Sequence, residues 1–173
     1  MLEPMTVRPE LYVLAADQVA IWSLTRSPLT GDAVPADSTI EHEVRATLLR
    51  DLRQVASDVI LVHGTSWRQE GPSLILTHAM VVARPTRHAF ALDMSEGAAP
   101  VGAPLLDAFG PPAPHPADAY PDVIRAADVL QHVLRHLAFL IDTDARSARA
   151  LGRDWARHLR PLRPELARLY TTA

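Results

Sequence analysis

Residues 59–83, VILVHGTSWRQEGPSLILTHAMVVA, decide the fold. Two apolar, β-branched runs flank Gln69-Glu70-Gly71-Pro72. Neither run alternates with polar residues, so both strands are expected to be covered on both faces. A short connection containing Gly-Pro favours a hairpin, and Pro72, which has no N–H, belongs at the turn and not in the ladder. With the turn at 69–72, Arg68 opposes Ser73, Trp67 opposes Leu74, Thr65 opposes Leu76 and His63 opposes His78. Alternation then puts Trp67, Thr65 and His63 on one face with His78. His63, Thr65, Trp67, Arg68 and His78 thus form a candidate ligand-binding group, in which Arg68 would contact an anion or stack on an aromatic ligand. A metal site needs three or four converging ligands, and no third ligand suggests itself. The reading therefore includes no metal and no cofactor.

The length of 173 residues suits one domain spanning 1–173. An apolar fraction of 48% and a charged fraction of 21% place it among soluble globular chains. No apolar run is long enough to span a membrane, and MLEPMTVRPE at the start lacks a signal-peptide core. With no cysteine there is neither disulfide nor thiolate chemistry, and a cytoplasmic address is expected. All 17 basic residues are arginine, which excludes a lysine Schiff base or a phosphate-loop lysine.

Outward from the hairpin, 11–16 and 19–24 read as strands around Asp17-Gln18, either a first hairpin or one bent strand. Residues 25–37 read as a loop. Ser38 or Thr39 caps a helix over 39–56, with Glu41 and Glu43 in its first turn and Val44, Leu48, Leu52 and Val55 as its buried stripe. Residues 89–94 could add a strand. The proline-rich segment 95–121 reads as a loop between an α/β part, 1–94, and a helical part, 122–173. Pro121 starts a helix to about 141, with Leu134, Leu137 and Ile141 inward. Asp142-Thr143-Asp144 breaks the chain and caps a second helix over 145–159, with Leu151, Trp155 and Leu159 inward. Pro164 begins a short final helix ending near Tyr170.

Three groupings could carry chemistry. Asp128, His132 and His136 stack on one face of the first of these helices, opposite its apolar stripe, and read as a solvated or partner-facing surface. Ser66 in Gly64-Thr65-Ser66-Trp67 lacks the context of a nucleophile elbow. Arg146, Arg149, Arg153, Arg157 and Arg160, spaced three, four, four and three, form one stripe opposite Leu151 and Trp155. That stripe is a candidate surface for an anionic partner. Charge is segregated along the chain: 121–173 holds nine arginines against six acids, and 1–120 holds eight against fourteen. A net charge of −3 and the lack of interleaved aromatics argue against nucleic acid.

The order of strands, helix and hairpin, with Arg50-Asp51-Leu52 on the helix before the hairpin, resembles a Nudix-type α/β/α sandwich. The resemblance implies a helix carrying metal-binding glutamates and pyrophosphate hydrolysis. Gln54 and Val55 stand where that motif has Glu-Glu, Ser57 where it has glycine, and His42 where it has an earlier glutamate. HGTSWR at 63–68 resembles a stretch in small actinobacterial-type proteins, which implies no activity. The reading is thus an α+β fold, with a mainly antiparallel sheet flanked by one helix after the first hairpin and by a C-terminal helical segment. Its function is that of a non-catalytic binding or interaction module for a protein or small-molecule ligand, with a homodimer left open and no membrane involved. The alternative is a hydrolase on a Nudix-like scaffold that uses Glu41, Glu43, Asp51 and His63.

Overall fold

The computed structural model describes residues 5–24, 29–31, 33–35, 59–83, 99–101, 126–166 and 168–170. The first strand, β1 (Thr6–Ala16), is followed by β2 (Ile21–Ser23), β3 (Leu29–Thr30) and β4 (Val34–Pro35). All three run antiparallel along one edge of β1, with Leu14 against Ser23, Glu10 against Thr30 and Thr6 against Pro35. The first turn is held by Asp17, whose carboxylate accepts from the Val19 and Ala20 N–H groups and from the Trp22 indole. An aspartate bonding backbone two and three residues ahead is a turn-forming device. A hairpin, rather than one bent strand, is the outcome.

The central ribbon is β5 (Val59–Glu70) and β6 (Ser73–Val82), antiparallel as expected. Its turn is tighter than expected. Gly71, at φ 57°, and Pro72 form a two-residue connection, and Glu70 opposes Ser73. Glycine supplies the positive φ that such a turn demands at its first central position. Every expected pair therefore shifts: Arg68 faces Ile75, Trp67 faces Leu76, Gly64 faces His78 and His63 faces Ala79. A bulge at Thr65 absorbs one further residue.

The sheet is completed by β7 (Ala99–Val101) and β8 (Arg168–Tyr170), in the order β7-β2-β1-β6-β5-β8. It is largely antiparallel, but β1 lies parallel to β6, and β8 parallel to β5. Two expectations fail here. Residues 99–101 are not loop but an edge strand on β2, where Pro100 is tolerated. Residues 168–170 are not helix but strand, because the β5 edge at Ser66–Arg68 offers ladder partners that outweigh local propensity. The expected helix over 39–56, the strand at 89–94 and the rest of 95–121 lie outside the described residues.

Two helices pack on one face of the sheet, α1 (Ala126–Thr143) and α2 (Ala145–Leu159). Val129, Val133, Leu134 and Leu137 of α1 and Leu151, Trp155 and Leu159 of α2 meet Tyr12, Leu14, Ala79 and Val81 of the sheet. The other face is buried as well, at Val7, Leu11, Val13, Met80 and Val82. β1 and β6 are thus covered on both sides, whereas β5, expected to be covered in the same way, leaves its outer face open at Val62, Gly64 and Trp67. Asp144 caps α2, accepting from the Arg146 and Ser147 N–H groups, and these bonds with the Ser147 hydroxyl hold its carboxyl below the usual range. No helix among the described residues is long and apolar enough to cross a membrane.

Within α2, Gly152 sits at φ 78° and ψ −170°, a conformation essentially reserved for glycine, and kinks the helix. A Cβ there would meet no atom within 4 Å, so strain alone decides a substitution. Gly152→Ala is expected to lower stability by about 1–3 kcal/mol, or to straighten the helix at similar cost. Urea unfolding of the variant would measure it, and an unchanged midpoint would contradict the kink.

Candidate functional site

The proposed ligand group does not converge. Residues alternate along β6, so Ala79 and His78 face opposite ways. His63, paired with Ala79, lies beneath the helices, whereas His78 points away from them. Arg68, opposite Ile75, shares the helix side with His63, and Trp67, opposite Leu76, shares the other side with His78. The side-by-side imidazoles expected at His63 and His78 are therefore separated by the sheet. The cause is the Thr65 bulge: the tighter turn moves the partners by two and keeps their faces, and the one extra residue then turns His63 to the other side.

On the helix side the chain builds two linked polar clusters. In the first, Arg68 grips Glu10 with two parallel bonds, Nη1 to Oε2 at 2.7 Å and Nη2 to Oε1 at 2.9 Å. Its Nε donates to Glu70 at 2.7 Å, and the Thr77 hydroxyl donates to Glu10 at 2.8 Å. Parallel β1 and β6 bring these residues together, since Glu10 stands in register with Thr77. Burial alone would lower the Arg68 guanidinium; its bonds to Glu10 and Glu70 outweigh that and raise it. Burial raises the neighbouring Tyr12 phenol, Glu10 adds to that, and Arg68 opposes it. This fork–fork geometry uses up the anion-binding capacity expected of Arg68.

The second cluster joins β5, α1 and the segment after α2. His132 and His136 are not a solvated face: they are 2% and 4% exposed and point into the interior. The bulge turns the Thr65 carbonyl toward α1, where His132 Nε2 donates to it at 3.2 Å. His132 Nδ1 lies 3.2 Å from Glu165 Oε2. His136 Nδ1 donates to the Glu165 carbonyl at 3.1 Å, and the Glu165 N–H donates to the Arg135 carbonyl. Glu165 thus straps the chain leaving α2 across α1 before it joins β5 as β8.

His63 lies over His136 with ring centroids 5.2 Å apart, and His132 follows at 6.4 Å. Burial pushes His136 down to about 4; the Glu165 carbonyl opposes this, and His63 and His132 add to it. His63 is lowered by burial against the pull of Asp144, and His78 is lowered by burial despite its bond to the Leu76 carbonyl. His136 Nε2 is buried without a hydrogen-bond partner among the described residues. Even so, no three metal-binding side chains among the described residues are placed to hold an ion. His132 cannot serve Ser66 as a base, because its Nε2 is committed to the Thr65 carbonyl.

The five arginines expected to form a stripe lie on both sides of the Gly152 kink in α2. Arg146, Arg149, Arg153, Arg157 and Arg160 are all exposed, opposite the buried Ser147, Leu151, Trp155 and Leu159. No ion pair ties any of the five to a carboxylate among the described residues. The beside-stripe residues Ala145 and Ala150 are also exposed. The Nudix-motif positions Glu41, Glu43 and Asp51 lie outside the described residues. No protein-family model, no curated protein and no solved structure matches this chain.

Proposed function

We propose that the protein is a non-catalytic interaction module that holds an anionic partner on the outer face of α2. The observation that carries this reading is the row of five exposed arginines, none in an ion pair with a carboxylate among the described residues, although Arg146 interacts electrostatically with Asp144. Elsewhere the chain neutralises its buried charge internally: Arg68 is shared by Glu10 and Glu70, and Arg135 lies 3.5 Å from Glu165. Five guanidiniums in water along the outer side of α2 repel one another, and a partner's negative charge would relieve that. The cysteine-free composition suits a cytoplasmic setting.

A chain of net charge −3 should pass through a cation-exchange resin near neutral pH. This one is expected to be retained at low salt, because a local patch and not the mean charge governs adsorption. The Arg153→Glu/Arg157→Glu variant should flow through with unchanged circular dichroism. Wild-type protein in the flow-through would overturn the reading.

A further inference from the structure

We infer that the partner on α2 is a carboxylate-bearing α-helix of another protein, laid along the arginine row; this rests on the anionic-partner reading above and names its chemistry. The five arginines form two groups on α2, Arg146 and Arg149 before the kink at Gly152 and Arg153, Arg157 and Arg160 after it. Within each group the members recur every three or four residues, about 5–6 Å apart, which is the interval at which a facing helix presents carboxylates on one side. Each guanidinium is a planar fork matched to a carboxylate, and all five cations are of this type, with no ammonium among them.

The flanks of the row support the same occupant. Ala145 and Ala150 are exposed beside it, and Ala156 is half-buried. Small side chains form low shoulders over which a second helix can approach while the long arginine stems reach its acids. A nucleic-acid strand would want aromatic platforms between the cations. The one aromatic residue of α2, Trp155, is only 2% exposed and faces the core. The chain's net charge of −3 also repels a dense polyanion at long range more than it repels a short acidic helix.

Gly152 lies in the middle of the row, between Arg149 and Arg153, and its kink sets the offset between the two arginine groups. It is therefore a positioning residue for the contact, although it carries no charge.

The test is fluorescence anisotropy with the full chain and three labelled probes at low salt. One is an alanine-based helical peptide with glutamates every three or four residues over about five turns. The second has the same composition with its glutamates scattered round the helix, and the third is a single-stranded oligonucleotide of equal charge. The ordered acidic helix is expected to bind about tenfold more tightly than either alternative, a difference of one decade in dissociation constant. Arg153→Glu/Arg157→Glu should remove that binding, as should Arg149→Glu/Arg160→Glu, and Gly152→Ala should weaken it with all charges kept. Equal binding of the scattered peptide, or tighter binding of the oligonucleotide, would overturn the helical partner while leaving the anionic face standing. Binding that survives both double variants would overturn the placement on α2. Failure of all three probes, with wild-type protein unretained on the cation exchanger, would remove both readings.

Discussion

Glu10→Ala is expected to be the most damaging single substitution among the polar residues, lowering the unfolding free energy by about 3–5 kcal/mol. The carboxylate is 5% exposed and the Arg68 side chain 11%. Deleting Glu10 leaves a guanidinium in the sheet–helix layer with two donors unmet and removes the acceptor of the Thr77 hydroxyl. The remaining partner, Glu70, is 53% exposed and compensates little. Glu70→Ala makes the internal control, because a solvent-exposed pair contributes about 1 kcal/mol or less. The double variant Glu10→Leu/Arg68→Met should recover most of the loss, since replacing both members of a buried pair by apolar groups of similar volume is often neutral. Urea denaturation of the four proteins would decide it. A Glu10→Ala midpoint equal to that of Glu70→Ala would mean that the buried pair contributes nothing.

That pair also shows where reading the chain by itself runs out. The ribbon at 59–83 was legible because uninterrupted apolar residues have few other uses. Its register was not, because one pair of residues at the turn depends on whether Gly71 takes a positive φ, and local composition does not fix that. The parallel contact of β1 with β6 sets Glu10 beside Thr77 and within reach of Arg68, yet β1 and β6 are more than fifty residues apart in the chain. No periodicity encodes a pairing between two strands that are each covered on both faces.

His132 and His136 were misplaced for a related reason. A helical wheel sets them opposite Leu134 and Leu137, and imidazoles opposite leucines look solvated. On α1 no residue from Asp128 to Ile141 is exposed, so the polar side is interior too. It is tolerated there because the Thr65 bulge and the Glu165 strap bring carbonyls to it, and neither has a sequence signal. By contrast, the exposure of the five arginines was legible. Charge at helical spacing opposite an apolar stripe leaves one orientation open, and burial of Leu151, Trp155 and Leu159 enforces it. The kink at Gly152 was missed, although a glycine inside a helical pattern is the available hint.

Acidification from pH 6.5 to 4 is expected to remove about 3 kcal/mol of stability through His136 alone. The Glu165 carbonyl can only accept, so Nδ1 of His136 carries the proton and Nε2 is left with its lone pair, buried and without a donor. Adding a second proton puts an N–H where no acceptor lies among the described residues and a charge against the stacked rings of His63 and His132. The folded chain therefore resists protonation until about pH 4, whereas the unfolded chain takes up the proton near pH 6.5. Between those values the unfolded state binds more protons, so stability is complete above pH 6.5 and falls as the pH drops toward 4. His63 and His78 are lowered in the same direction and steepen the slope. Asp17 and Asp144 are lowered too, but a depressed carboxylate loses its contribution only below its ordinary value near 4, outside this window. Urea unfolding between pH 7.5 and 4.5 would record the fall, and hydrogen exchange should show residues 163–166 loosening first, since Glu165 is fastened to His136. His136→Gln should flatten the slope by about one proton's worth. A slope unchanged in that variant, or an imidazole resonance for His136 that titrates near 6.5 in the folded protein, would show that this ring does not resist charging.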